Sequence, residues 1–243
     1  MQHDVIKPYH SEASKTEEVA EMFDNIAPKY DFLNRLFSFR IDTLWRKKLI
    51  TRLQALHPKT ILDVATGTAD LSIAAAAAIP EAHITGLDIS KEMLAFGQKK
   101  VAAALLSDRI TLEGGDAQDL HFSDSTFDAV MVAFGIRNFE NLDKGLSEMQ
   151  RVIRPEGKLF ILEFSNPQHV IIRWLYYFYF CNVLPIIGKW ISKDMRAYTY
   201  LPESVRAFPS GIAMKNILLQ NGFKSVECIT LTFGISTLYI ASR

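Results

Sequence analysis

The chain has 243 residues, 49% of them hydrophobic, and its 27 acidic and 27 basic side chains balance to a formal net charge of zero. That length suits one large domain, or one domain with an added cap. The even charge argues against the broad basic face that non-specific nucleic-acid binding requires, and Cys181 and Cys228 fit neither a metal-ligand spacing nor a disulfide framework.

The start, Met1-Gln2-His3-Asp4-Val5, lacks the basic and apolar regions of a signal peptide, so a cytoplasmic location is expected. Residues 1–15 are polar and read as a mobile tail. From Thr16, placed to cap a helix, Val19, Met22, Phe23 and Ile26 recur at helical spacing until Pro28. An aromatic stretch studded with polar groups, Tyr30 to Arg40, leads to an amphipathic segment, Asp42 to Leu56, built on Leu44, Trp45, Leu49 and Leu53. Residues 1–57 therefore read as a tail and helices, either a packing layer or a lid that closes over a ligand. The rest, 58–243, reads as the core.

The core opens on Thr60-Ile61-Leu62-Asp63-Val64-Ala65-Thr66-Gly67-Thr68-Ala69-Asp70-Leu71. An apolar run gives way to a small-residue turn and then to an alanine tract: a strand, a tight loop and a helix N-terminus. Ala65, Gly67 and Ala69 are small enough for a ligand to lie against the backbone. The next strand, His83 to Asp88, ends in an acid 21 residues after Gly67, where a carboxylate can accept two hydrogen bonds from a ribose diol. Gly-x-Gly-x-x-Gly is absent. A pyrophosphate needs several glycines and a free helix N-terminus; a ligand without phosphates, such as S-adenosylmethionine, needs less.

Strands are predicted at 60–65, 83–88, 109–113, 127–133 and 157–164, with helices at about 70–79, 91–106 and 140–153. This alternation implies a parallel sheet with helices on both faces and a ligand outside the carboxyl ends of its strands. At the third such end, Gly114-Gly115-Asp116-Ala117 offers an acid and a small residue to an adenine, or else a solvated turn carboxylate. After the fourth strand, Arg137 stands beside Asn138 in an apolar stretch. It is either a structural Arg paired with an acid or a group aimed at substrate. Glu163, near the end of the fifth strand, reads as structural support.

Residues 170–192 are rich in aromatics, but Arg173, Asn182, Pro185 and Lys189 interrupt them, which rejects a membrane span. Core packing, a cap helix lining an apolar pocket and a surface that touches a bilayer all remain open for this insertion, placed at about 168–205. A helix at about 210–221 precedes two strands, 223–232 and 236–242, whose short connection around Gly234 makes an antiparallel hairpin. The predicted fold class is α/β: a Rossmann-like seven-stranded sheet, five parallel strands plus the hairpin, with an N-terminal helical lid and a helical insertion.

The chain resembles the class I S-adenosylmethionine-dependent methyltransferases and, within them, the quinone C-methyltransferases of menaquinone and ubiquinone synthesis. The stretches that carry the resemblance are Met22-Phe23-Asp24-Asn25-Ile26-Ala27-Pro28-Lys29-Tyr30-Asp31, Phe134-Gly135-Ile136-Arg137-Asn138, Leu162-Glu163-Phe164-Ser165 and Leu184-Pro185-Ile186-Ile187-Gly188. Tyr200-Leu201-Pro202-Glu203-Ser204 and Leu231-Thr232-Phe233-Gly234 add to them. The resemblance implies S-adenosylmethionine as methyl donor, with Thr68 and the loop around Gly67 at its methionine end, Asp88 at the ribose, and Asp116 with Ala117 at the adenine. The family often has Ser where Ala133 stands and Gly where Ala69 stands, so the Ala69 methyl is expected to narrow the approach. The implied reaction converts a reduced prenylated naphthoquinone, demethylmenaquinol, to menaquinol by ring C-methylation; the benzoquinol of ubiquinone synthesis, or both rings, is the alternative. Arg137 is then the candidate for stabilising the ring oxyanion, and Tyr30 for orienting or deprotonating the hydroxyl. No metal is implied. An insoluble prenyl tail implies peripheral contact with the inner face of the cytoplasmic membrane, while the oligomeric state stays open, a homo-oligomer included.

Overall fold

A computed structural model of the chain describes residues 6–179, 182 and 196–243. Seven strands form one sheet: β1 Thr60–Val64, β2 His83–Asp88, β3 Ile110–Gly114, β4 Phe127–Ala133, β5 Ile153–Phe164, β6 Ser225–Leu231 and β7 Ser236–Ser242. Their order is β3-β2-β1-β4-β5-β7-β6. The first five run parallel, and the hairpin joins antiparallel, with β7 against β5 and β6 outermost. This is the Rossmann-like sheet that the sequence predicts. The central strands β1 and β4 are apolar on both faces because helices cover both. Along β1, Leu62 and Val64 enter the core on one face and Ile61 the core on the other, as strand alternation requires.

The helices, in chain order, are α1 Lys15–Ile26, α2 Tyr30–Phe37, α3 Ile41–Gln54, α4 Asp70–Ala78, α5 Lys91–Ala103, α6 Leu142–Val152, α7 Val170–Phe178, α8 Arg196–Ala207 and α9 Ile212–Gln220. One face of the sheet packs against α6 and α9 through Leu146, Met149, Met214 and Leu218. The other packs against α3, α4 and α5 through Trp45, Leu49, Leu53, Ala75 and Val101. Helices α1, α2, α7 and α8 build a third core beyond the carboxyl ends of the strands, with Val19, Met22, Leu33, Tyr176 and Tyr200 inside it. Segments from the two ends of the chain thus meet over the place where ligands bind in such sheets.

Two local expectations are corrected. Helix α1 is capped by Ser14, not Thr16: the Ser14 hydroxyl accepts from the Glu17 N–H while the Glu17 carboxylate accepts from the Ser14 N–H, a capping box. The Thr16 hydroxyl pairs with Glu140 instead. The segment just before the helix is pinned rather than mobile, because the buried Glu18 carboxylate accepts from the N–H groups of Tyr9, His10 and Ser11; residues 1–5 of the expected tail lie outside the described residues. Beyond Pro28, a 3₁₀ turn at Ala27–Lys29 runs directly into α2, so the aromatic stretch is helical. Much of the 170–192 stretch, including Leu184 to Gly188, also lies outside the described residues.

Candidate active site

Two strand ends turn sharply to make the site. After β1, Ala65, Gly67 and Ala69 all take left-handed backbone angles, a conformation that disfavours side chains. The buried Asp63 anchors this turn: its Oδ2 accepts from the hydroxyls of Thr66 at 2.7 Å and Ser72 at 2.6 Å. After β4, Phe134 is also left-handed. A Cβ on Gly135 would lie 2.5 Å from the Ala65 Cβ, so glycine is what lets the two turns meet. The 3₁₀ turn at Ile136–Asn138 follows and holds Arg137 and Asn138 buried.

A narrow cleft of about 60 Å³ runs along these ends, and Gly67, Asp88, Asp116 and Ala117 all line it. Asp88 accepts from the N–H groups of Gly67 at 2.7 Å and Ser90 at 2.9 Å. Burial pushes its carboxyl up to about 6, against the pull of those N–H groups. Asp116 is held by Gln118, whose backbone N–H donates to Oδ1 at 2.9 Å; the Gln118 side chain reaches on to Thr16. Between the two acids the lining is apolar: Leu87, Ile89, Met93 and Phe139. A Cβ on Gly67 would project across the cleft to within 3.9 Å of Tyr30, filling space that a ligand needs. Acids at the ends of β2 and β3, an apolar bed and a bare backbone match the chemistry of an adenosine, while the volume is that of a closed cleft.

Thr68 does not line this cleft. Its hydroxyl donates to Asp31 of α2 at 2.6 Å and accepts from Lys100 of α5 at 3.1 Å. Lys100 also donates to Asp31 at 2.6 Å and pairs with Asp70. Asp24 of α1 accepts from the Ser90 hydroxyl at 2.6 Å. These contacts clasp the N-terminal helices to the ends of β1 and β2. Nor does the Ala69 methyl narrow the cleft, because it turns inward toward Gly97 of α5.

Phe23, Tyr30 and Phe134 line the cleft and also a second, larger cavity of about 370 Å³. This chamber is walled by apolar and aromatic side chains of α1, α2, α3, α7 and α8. Its floor is a cluster of rings: Phe134 and Phe164 lie 4.9 Å apart, with Trp45 6.0 and 6.1 Å from each. Arg137 enters this wall paired with the fully buried Glu163, Nη1 to Oε1 at 3.0 Å, and it also donates to the Phe134 carbonyl. Its Nε is buried and finds no hydrogen-bond partner among the described residues. The two sequence alternatives for Arg137 therefore coexist: one edge of the guanidinium is structural and the other is unspent. Arg46 of α3 lines the chamber as well, and the sequence reading did not single it out. Burial raises the Tyr30 phenol above its usual range, so at neutral pH it is a protonated donor.

Fold and cleft together define a class: a Rossmann-like methyltransferase fold with a cleft at the carboxyl ends of its parallel strands. A solved S-adenosylmethionine-dependent methyltransferase from Aquifex aeolicus shares that fold, with a TM-score of 0.57 at 18% identity over 79% of this chain and 87% of that one. The particular family follows from sequence, since the model of the ubiE/COQ5 methyltransferase family matches residues 11–243 and the chain belongs to that family. Among its relatives, the demethylmenaquinone methyltransferase of Bacteroides fragilis is 47% identical, covering 98% of this chain and 97% of that protein. The ubiquinone/menaquinone biosynthesis C-methyltransferase UbiE of Geotalea daltonii is 46% identical, covering 94% and 97%.

Proposed function

We propose that this methyltransferase moves a methyl group from S-adenosylmethionine to a ring carbon of a reduced prenylated naphthoquinone, converting demethylmenaquinol to menaquinol. The observation that carries this reading is the join between the two cavities. A nucleoside cleft opens, past Tyr30, Phe23 and Phe134, into an apolar ring-lined chamber that holds a buried guanidinium with a free donor. When bound, S-adenosylmethionine supplies an electrophilic methyl: a ring carbon forms the new C–C bond as the S–CH3 bond breaks, a thioether is left, and one proton is released overall.

The chain's own residues set up that step. Asp88 holds the ribose diol and Asp116 with Ala117 the adenine edge, which aims the cofactor's sulfur toward the chamber. Gly67 keeps the path beside the backbone clear. Arg137, which lines the chamber, donates from its guanidinium to the ring oxygen next to the reacting carbon, stabilising the oxyanion that pushes density onto it. Glu163 fixes the other edge of that guanidinium. Tyr30, protonated, orients the ring by donating rather than by removing a proton. Cationic sulfonium and anionic ring lose their charges together as the methyl moves, so a dry, apolar chamber favours the transition state over the separated charges. Close positioning of the two reactants supplies much of the rest.

We further propose peripheral contact with a membrane at its cytoplasmic face. Phe39, Leu175 and Phe233 line the chamber and are also exposed, with Trp174 and Phe178 exposed beside them. A prenyl tail leaving the chamber there would run straight into lipid. No described helix is long and apolar enough to cross a membrane. A second reading, the benzoquinol ring of ubiquinone synthesis or both rings, is favoured by the dual name of the Geotalea daltonii relative.

One experiment addresses all of this. Labelled S-adenosylmethionine is offered with reduced demethylated naphthoquinol and benzoquinol, each in sedimentable liposomes. Label in the naphthoquinol, with the enzyme in the pellet, is expected. Label in the benzoquinol alone overturns the ring assignment, label in neither overturns the function, and full activity with the enzyme in the supernatant overturns the membrane contact.

A further inference from the structure

Arg137 is one of two guanidiniums in the chamber wall, and the second, Arg46, stands over the neighbouring ring of the floor. Arg46 projects from the first two turns of α3. Its Cζ lies 5.6 Å from the centre of the Phe134 ring, while the Cζ of Arg137 lies 5.7 Å from the centre of Phe164, and those two rings are neighbours. The burial of Arg46 has the same unusual feature: its Nε is inaccessible and has no hydrogen-bond partner among the described residues. Asp42, one turn earlier, is the matching acid, with Oδ2 at 3.5 Å from that Nε. At that distance the pair gains Coulomb attraction without a hydrogen bond. Asp42 itself is held by the Ser38 hydroxyl at 2.5 Å and also lines the chamber.

A buried unsatisfied donor in a native fold calls for a partner, and here two arginines with such a donor stand over neighbouring rings of one tilted aromatic floor. The phenol of Tyr30 lies in the field of both arginines, with the larger effect from Arg46. Both cations therefore bear on the place where the cleft meets the chamber. A ring with one oxygen would engage one of them and leave the other arginine, though paired with its acid, with an unsatisfied N–H. A hydroquinol carries two oxygens on opposite sides of its ring.

We propose that Arg46, held by Asp42, is a specificity-determining residue that donates to the second oxygen of the hydroquinol, the one para to the oxygen at Arg137. The chamber then reads the 1,4-dioxygen pattern as a unit. Only the oxygen at Arg137 lies next to the carbon that accepts the methyl, so ionising it drives the chemistry. The oxygen at Arg46 lies too far round the ring to do so and serves recognition.

This inference rests on the proposed function, and its test separates the two. The substrates are a short-tailed demethylated 1,4-naphthoquinol and the same molecule lacking the oxygen remote from the reacting carbon. Wild-type enzyme is expected to prefer the diol by at least about tenfold in kcat/KM, because a site built to bond a hydroxyl rejects an analogue without it. In Arg46→Met the diol value should fall by about tenfold or more and the mono-ol value much less, so that the preference collapses toward one, mainly through KM. Arg46→Lys, which keeps the charge but loses the planar fork, should lie between them, and it reads the same ratio if the Met variant does not fold. If Arg46 only braces α3, both substrates lose equally and the ratio stands, which overturns the inference; so does a wild-type enzyme that ignores the second oxygen. Failure of wild type to methylate either compound overturns the functional reading instead.

Discussion

Asp88 and Glu163 are both buried carboxylates at the carboxyl ends of parallel strands, yet the cleft and the chamber use them in opposite ways. Asp88 is met by the backbone N–H groups of Gly67 and Ser90, which leaves its remaining lone pairs to a ligand. Glu163 is saturated by Arg137 and by the Phe164 N–H at 2.8 Å. In the cleft the protein's charge faces the ligand. In the chamber the carboxylate is matched by another side chain, and one N–H of that guanidinium is left over. A polar ribose needs the first arrangement. An oxygen on a greasy ring needs the second, because an unpaired cation in that wall would be prohibitive.

The largest effect expected from breaking this contrast is at Glu163. Glu163→Ala leaves Arg137 as a buried charge without its partner, at a cost of about 3–5 kcal/mol. Thermal unfolding should fall by about 10 °C or more, with turnover lost alongside. A shift of only a degree or two would show that Arg137 is stabilised by something other than this pair.

At Asp88 a smaller and two-sided effect is expected. Asp88→Asn keeps the shape but loses charge-assisted hydrogen bonds to the ribose, worth about 1.5–3 kcal/mol, so calorimetry should find S-adenosylmethionine bound about ten- to a hundredfold more weakly. The other side is the pH dependence of stability. The carboxyl sits at about 6 in the fold against 3.8 unfolded, so the fold holds its proton more tightly than the unfolded chain does. The stability this confers is full below 3.8 and is lost as pH rises through about 6. Asp63, also pushed up to about 6 by burial, has the same sign. These two carboxyls should therefore subtract stability between about pH 4 and 6, opposing the lowered carboxyls such as Asp70 and Glu148, while cofactor affinity rises as Asp88 ionises. Asp88→Asn, which keeps one acceptor oxygen for the two N–H groups, should remove Asp88's share of the pH-dependent stability change and flatten the affinity profile. An unchanged dissociation constant would refute the ribose role.

The cleft was far more legible in sequence than the chamber, for a physical reason. Gly67, Asp88, Asp116 and Ala117 each follow a strand of a regular β–α alternation, so topology alone gathers them at one edge. Arg137 and Glu163 were legible as types but not as a pair: they follow and end adjacent strands, and only the register of β4 on β5 brings them together. Arg46 and Asp42 lay hidden, because the apolar stripe of α3 fixes which face meets the sheet but not what its polar residues will meet. The family resemblance implied that Thr68 holds the methionine end of the cofactor. Its partner Asp31 stands 37 residues earlier in the chain, beyond any local pattern. The Ser14 cap, by contrast, was readable from Ser-x-x-Glu ahead of the apolar positions.

The smallest effect concerns the clasp that ties the two regions together. In this structure the cleft holds about 60 Å³, far below the roughly 300 Å³ at which ligand pockets begin, and α1 and α2 roof it through Asp24 and Asp31. Admitting a nucleoside therefore requires those helices to lift. The ion pair of Asp31 with Lys100 is partly solvated, so removing it should cost about 1 kcal/mol or less, too little to unfold the third core. Spent on the closed state alone, that same amount makes opening several-fold more frequent. Asp31→Ala should then release bound S-adenosylmethionine several-fold faster in a stopped-flow chase, with its unfolding temperature within a few degrees of wild type. An unchanged release rate would make the N-terminal helices a fixed packing layer, and the cleft would have to open elsewhere, by yielding at the Phe134 and Gly135 turn that separates it from the chamber.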